Sequence, residues 1–134
     1  MKGTHLTDTF SIHSTVKSAP RIDGALFTRI KEKVMGKNYE LSLVFIGKTR
    51  AQRLNNTYRQ KNYATDILSF PLDEESGEIF IYCPKAKSKA KEFGRTFENY
   101  LVFIFIHGLF HLKGHDHGII MENKEASIRT LFNI

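Results

Sequence analysis

The sequence predicts an α+β fold: a small mixed β-sheet of about four strands packed with about five helices. Three observations carry this expectation. The run ELSLVFIG, Glu40 to Gly47, is short and almost continuously apolar, as in a central strand buried on both faces. TDILSFPL and EIFIYC are two strand-like runs joined by the polar turn DEESGE, a hairpin. Helical stretches are interspersed among these runs without a strict strand–helix–strand rhythm, which favours α+β over a parallel α/β design.

The remaining elements follow in chain order. Phe10, Ile12 and Val16 alternate loosely between Thr9 and Val16, a weak strand signal. A helix then starts near Pro20, carries Ile22, Leu26, Ile30 and Val34 on one face, and ends at Gly36, with Gly24 inside it as a cost. Thr49 and Gln52 have the spacing of a capping box, opening a second helix with Ala51, Leu54 and Tyr58 inward. Pro71 places the end of the first hairpin strand at a sheet edge or bend. Pro84 begins a short helix with Ala86, Ala90 and Phe93 inward and Lys85, Lys87, Lys89 and Lys91 outward. Gly94 stops it, and Thr96 caps a long apolar helix reaching about Lys113. A final helix, Met121 to Phe132, has Glu122 and Glu125 placed against the dipole of its first turn.

With 134 residues, 41% hydrophobic and 25% charged, the chain has the size and composition of one folded domain, residues 1–134, and disorder is not expected. The single cysteine, Cys83, cannot form an internal disulfide and reads as a small apolar residue after a strand. The first residues lack the apolar stretch of a signal peptide, and the most apolar run, LVFIFI, is far shorter than the ~20 residues that span a bilayer. A cytoplasmic location without a membrane partner is the expectation. Twenty basic residues against 14 acidic ones, a net charge of +6, favour a polyanionic partner such as RNA without requiring one.

Chemistry concentrates in the segment HGLFHLKGHDH. His107 and His111 stand four apart on the long helix, so both imidazoles project from one face. Gly114 allows the left-handed turn that ends the helix, and the chain doubles back to bring His117 to the same ion. Three neutral nitrogens with an open fourth position suit a catalytic zinc ion, one per chain. The spacing matches that of metzincin peptidases. In those enzymes a glutamate general base follows the first histidine, whereas here Gly108 takes that place and leaves room above the metal for a bulky substrate or a close backbone. Peptidase activity is therefore not expected. His115 lies between the ligands and competes with His117 for the third place. His5 and His13 lie far from the motif and read as ordinary histidines.

This motif resembles the YbeY family of endoribonucleases and rRNA maturation factors. That family's pattern is close to H-G-x-L-H-L-x-G-Y-D-H, and His107, Gly108, His111, Gly114, Asp116 and His117 match it. Upstream, LNNTYRQKNYATDILSFP resembles a second family signature at Leu54, Asn55, Arg59, Thr65, Asp66, Ser69, Phe70 and Pro71, and GEIFIYCPKAK resembles the stretch between the two. The chain departs at Phe110, where leucine is usual, and at His115, where tyrosine is usual. The resemblance, covering roughly Leu41 to the carboxyl terminus, implies a metal lying in a cleft, held by His107, His111 and His117. It implies Arg59 as a residue of the activity, and single-stranded RNA, rRNA and the ribosomal subunit as partners. Small-subunit rRNA 3′-end maturation and ribosome quality control are the implied roles. A dinucleotide is not an expected partner. The rival is a non-catalytic ribosome-assembly factor with a structural metal site.

Within that reading, Arg59 stabilises charge on a reacting phosphoryl group, or is a solvated charge at a helix end. Asp116 either holds an imidazole N–H or caps the following turn. Asp66 and Ser69 line the cleft or serve as a turn cap and a strand hydroxyl, and the lysine row from Lys85 to Lys91 tracks RNA or is a solvated helix face.

Overall fold

A computed structural model of the protein describes residues 2–134. Five strands form one sheet: β1 (Lys2–Thr7), β2 (Phe10–Ser14), β3 (Glu40–Phe45), β4 (Ile67–Asp73) and β5 (Ser76–Ile81). Their order is β1-β2-β3-β5-β4, with β2, β3 and β5 parallel to one another and β1 and β4 antiparallel at the two edges. Five helices accompany them: α1 (Gly24–Met35), α2 (Lys48–Arg59), α3 (Cys83–Glu92), α4 (Phe97–Leu112) and α5 (Ile119–Leu131).

The mixed α+β architecture is the expected one, with one strand more than expected. β1, KGTHLT, has Leu6 as its sole large apolar residue and therefore no alternation to read. Its backbone ladder with β2 holds it in place. β3 has the double-sided burial its composition implied. Leu41, Leu43 and Phe45 enter the main core, and Val44 with the following Ile46 faces a smaller cluster with Ala51, Leu68 and Phe80. The β4–β5 hairpin forms as expected, and Pro71 lies on the edge strand, where its missing N–H costs least.

Three helix starts differ from the sequence reading: α5 begins at Ile119, two residues before Met121, and α1 and α2 begin on other caps. Asp23, not the region of Pro20, begins α1: its carboxylate accepts from the Leu26 N–H at 3.1 Å. Gly24 thus occupies the first helical turn, where it costs little. In α2 the expected capping box does not form, because the helix already begins at Lys48 after Gly47 and Thr49 lies inside it. Ala51 is buried, whereas Tyr58 is 64% exposed and packs its ring against Phe70.

α4 is the central helix. Thr96 accepts from the Asn99 N–H at 3.1 Å to cap it, and ten of its residues are buried. It packs against α1, α3, α5 and β4. Phe105 lies at the centre of the core, with Phe27 and Phe10 rings 4.6 and 5.9 Å away. Such an all-round apolar helix belongs inside the fold. Among the described residues, no helix is long and apolar enough to cross a membrane. Gly108 permits the close approach of α4 to the sheet: a Cβ there would meet Ile67 Cδ1 and Ser69 Oγ at 2.9 Å and Ile79 Cδ1 at 3.2 Å. The glycine therefore faces the sheet, and the space it leaves is not above the histidines.

A candidate metal centre

The carboxyl end of α4 and the loop to α5 build the site. His107 and His111, one turn apart, present their rings edge to face with centroids 4.6 Å apart. Gly114, at φ +90°, then ends the helix. The Gly114 N–H donates to the His111 carbonyl at 2.9 Å and the His115 N–H to the Phe110 carbonyl at 3.1 Å, the paired bonds of a Schellman motif. The motif's usual apolar contact is made by the His115 ring against Phe110, 5.7 Å away. His115 is thus turned to the helix end, while His117 swings back to lie 5.0 Å from the His107 ring and 4.7 Å from the His111 ring. The group whose donor atoms lie within 4.8 Å of one another consists of His107, His111 and His117; His115 is outside it.

Hydrogen bonds from the protein set the tautomers. His107 Nδ1 lies 3.0 and 3.1 Å from the two carboxylate oxygens of Glu125, and His111 Nδ1 lies 3.1 Å from the His115 carbonyl. Carboxylates and carbonyls only accept, so both Nδ1 atoms carry protons. With each Nδ1 so engaged, the two rings turn their Nε2 atoms toward each other at 3.1 Å. Burial foremost, then the neighbouring His107 and His117, lowers the His111 pKa and keeps that ring neutral near pH 7. Two ring nitrogens at this distance share a cation, either a proton or a metal ion. A tetrahedral zinc with Zn–N of about 2.0–2.1 Å holds its nitrogens roughly 3.3 Å apart, so the His107–His111 pair fits such an ion and His117, its donor within 4.8 Å of both, stands beside it.

Glu125 was not anticipated in this role. Its sequence signal was read as a first-turn charge, yet it lies on the stripe Met121, Glu125, Ile128 that α5 turns inward, and it is only 5% exposed. A carboxylate on a buried stripe calls for a partner, and His107 is that partner. Asp116, considered for the same role, is exposed and makes no side-chain hydrogen bond among the described residues.

The histidines open onto a cleft of about 1160 Å³. Arg59, exposed at the end of α2, lines it with Thr65, Asp66 and Ser69. Asp66 accepts from the Tyr100 hydroxyl at 2.6 Å, and burial together with this carboxylate raises the phenol's pKa well above its usual range. Ser69 Oγ donates to the Gly108 carbonyl at 3.1 Å, fastening β4 to α4. Of the lysine row only Lys89 lines the cleft. Phe93, expected inward, is 54% exposed on the cleft wall.

The sequence model described as Endoribonuclease YbeY matches residues 8–132. The chain belongs to the YbeY family. Among curated relatives, the Endoribonuclease YbeY of Finegoldia magna is 41% identical over 102 residues, 67% of this chain and 67% of that protein. The YbeY of Carboxydothermus hydrogenoformans is 36% identical over 141 residues, 98% of this chain and 96% of that one. The solution structure of a structural-genomics target from Thermotoga maritima superimposes with a TM-score of 0.57 at 26% identity, covering 89% of this chain and 85% of that one. The YbeY match begins near Asp8, so it takes in β2 and α1 as well as the stretch from Leu41 that carried the resemblance.

Proposed function

We propose that this YbeY protein is a metal-dependent endoribonuclease specific for single strands, acting in 3′-end maturation of small-subunit rRNA and in ribosome quality control. On this reading residues 1–134 work as one catalytic domain in the cytoplasm, with rRNA and the ribosomal subunit as partners. His107, His111 and His117 hold one zinc ion. The observation that carries the proposal is the approach of His107 Nε2 and His111 Nε2 to 3.1 Å, grouped with His117 at the lining of an open cleft.

The chain's own groups divide the work. Held by His107, His111 and His117, a zinc ion would supply Lewis acidity toward a phosphoryl oxygen and toward water near pH 7. Glu125 holds His107, and the His115 carbonyl holds His111, so neither ring must reorient to donate its lone pair. Arg59 brings a permanently charged planar fork to the same cleft, suited to phosphate oxygens that gain charge as the bond breaks. Gly108 supplies no carboxylate and faces the sheet, which argues against peptide hydrolysis.

The test is single-turnover cleavage of defined single-stranded RNA, with metal content and a melting curve for each variant. Arg59→Ala should keep its metal and fold but lose about 100-fold in rate. His111→Ala should lose both metal and cleavage. Cleavage that survives in His111→Ala would mark the activity as a contaminant and favour the assembly-factor reading.

A further inference from the structure

One wall of the cleft has a use beyond holding the metal. From His107, one turn back along α4 lies Phe103 and almost another lies Tyr100, so an aromatic stripe leads directly away from the histidines. Phe93, at the end of α3, extends this stripe toward solvent, its ring 5.7 Å from Tyr100 and 5.8 Å from Phe103. All three rings line the cleft. Burial of so large a ring would normally be favourable, yet more than half of Phe93 is left open on this wall.

The same wall is cationic. α5 runs beside α4, so that Glu125 meets His107 and Arg129, one turn later, lies over Phe103 with 5.1 Å between guanidinium carbon and ring centroid. Arg95, which does not itself line the cleft, approaches the same ring at 4.3 Å. Among the described residues neither arginine has a carboxylate within ion-pair distance, and Arg95 donates instead to the Asn99 side-chain oxygen. Two cations sharing one ring without a counter-ion repel each other, and an anion placed between them and the solvent relieves the repulsion. Lys89, one turn before Phe93 on α3, adds a further cation at the cleft.

We infer that Phe93, Arg129 and Lys89 form a nucleotide subsite beside the metal centre, in which an unpaired base stacks on Phe93 and the adjoining phosphate is taken by the two cations. The inference rests on the reading of the cleft as an RNA site. An exposed aromatic face beside uncompensated cations is the combination that binds single strands, since an unpaired base offers a free π-face and the backbone supplies the negative charge. A duplex hides its base faces, so the wall selects for single strands physically.

The probe is a short, fluorescently labelled 2′-O-methyl oligoribonucleotide, checked for intactness by electrophoresis and titrated against the zinc-loaded full chain by anisotropy. Phe93→Ala should weaken binding about tenfold, within the range found for loss of one stacked base. Phe93→Leu, which keeps the apolar packing but lacks a π-face, should lose as much, and Phe93→Trp should retain affinity. Arg129→Gln should weaken binding and reduce its salt dependence by about one phosphate contact. In a series of oligonucleotides each with one abasic position, one position should reproduce the Phe93→Ala loss in the wild type and cause no further loss in Phe93→Ala. Wild-type affinity in Phe93→Leu, fully additive losses in the abasic series, or no binding by the wild type would each overturn the subsite. Cleavage of ordinary RNA is scored separately. If the oligonucleotide binds through Phe93 but zinc-loaded protein never cuts RNA, the subsite stands and the endoribonuclease reading falls.

Discussion

Removing the carboxylate of Glu125 should loosen the metal without touching a ligand. Both of its oxygens lie within 3.1 Å of His107 Nδ1, and the residue is almost fully buried between α4 and α5. Glu125→Ala leaves the Nδ1–H without its acceptor and lets the ring turn or exchange its tautomer, either of which takes the Nε2 lone pair out of the triad. Loss of such an outer partner typically costs 10–100-fold in metal affinity, or about 1.4–2.7 kcal/mol. Glu125→Gln retains an oxygen that accepts from Nδ1, so its loss should be nearer the lower end. The assay is competition for zinc against a chromophoric chelator at fixed pH, with a melting curve of each metal-free variant to separate metal loss from unfolding. Zinc affinity in Glu125→Ala within twofold of wild type would refute the argument that this hydrogen bond orients the ring.

Other perturbations have equally definite outcomes. His117→Ala should weaken zinc binding far more than His115→Ala, measured by the same titration, because the His115 ring packs on Phe110 while its backbone carbonyl, unaffected by substitution, serves His111; the reverse order would remove His117 from the ligand set. Gly108→Ala gains about 1 kcal/mol of helix propensity but drives a methyl group into Ile67, Ser69 and Ile79 at an overpacking cost of about 1–3 kcal/mol, so chemical denaturation should show a net loss centred on about 1 kcal/mol. Equal or greater stability would mean that β4 gives way easily. Burial pushes the Cys83 thiol up to about 11, so at pH 8 its alkylation should be about 100-fold slower than that of an ordinary thiol and should accelerate as pH rises toward that value. Rapid modification at pH 8 would show that the start of α3 opens.

What could be read in advance divides along physical lines. β3, the β4–β5 hairpin and α4 were legible because burial imposes a pattern on their residues: apolar runs, alternation and a capping threonine before an apolar stretch. The spacing of His107, His111, Gly114 and His117 was legible because helix geometry converts it directly into proximity, and the structure gathers the three histidines. β1 was not, since an edge strand held by backbone bonds needs no particular side chains. Glu125 was missed because its partner is 18 residues away and reaches it only through the packing of α5 on α4. Phe93 was read as core by default. Nothing local announces that a phenylalanine at a helix end will be left open on a cleft wall.

The orientation of Gly108 also bears on how far this scaffold stands from the peptidases whose histidine spacing it shares. Restoring the missing glutamate looks like a single codon's work on paper. In three dimensions, position 108 points at Ile67 and Ile79, so a carboxylate there would be forced into the sheet, where it would have to unseat α4 or stay protonated among aliphatic side chains. The whole helix would have to roll about its axis to bring that position over the three histidines, and the roll would carry His107 away from Glu125 and His111 away from the helix-end carbonyl. Two proteins can thus share a ladder of histidines and remain mutually inaccessible, divided by the face that each helix turns to its own sheet.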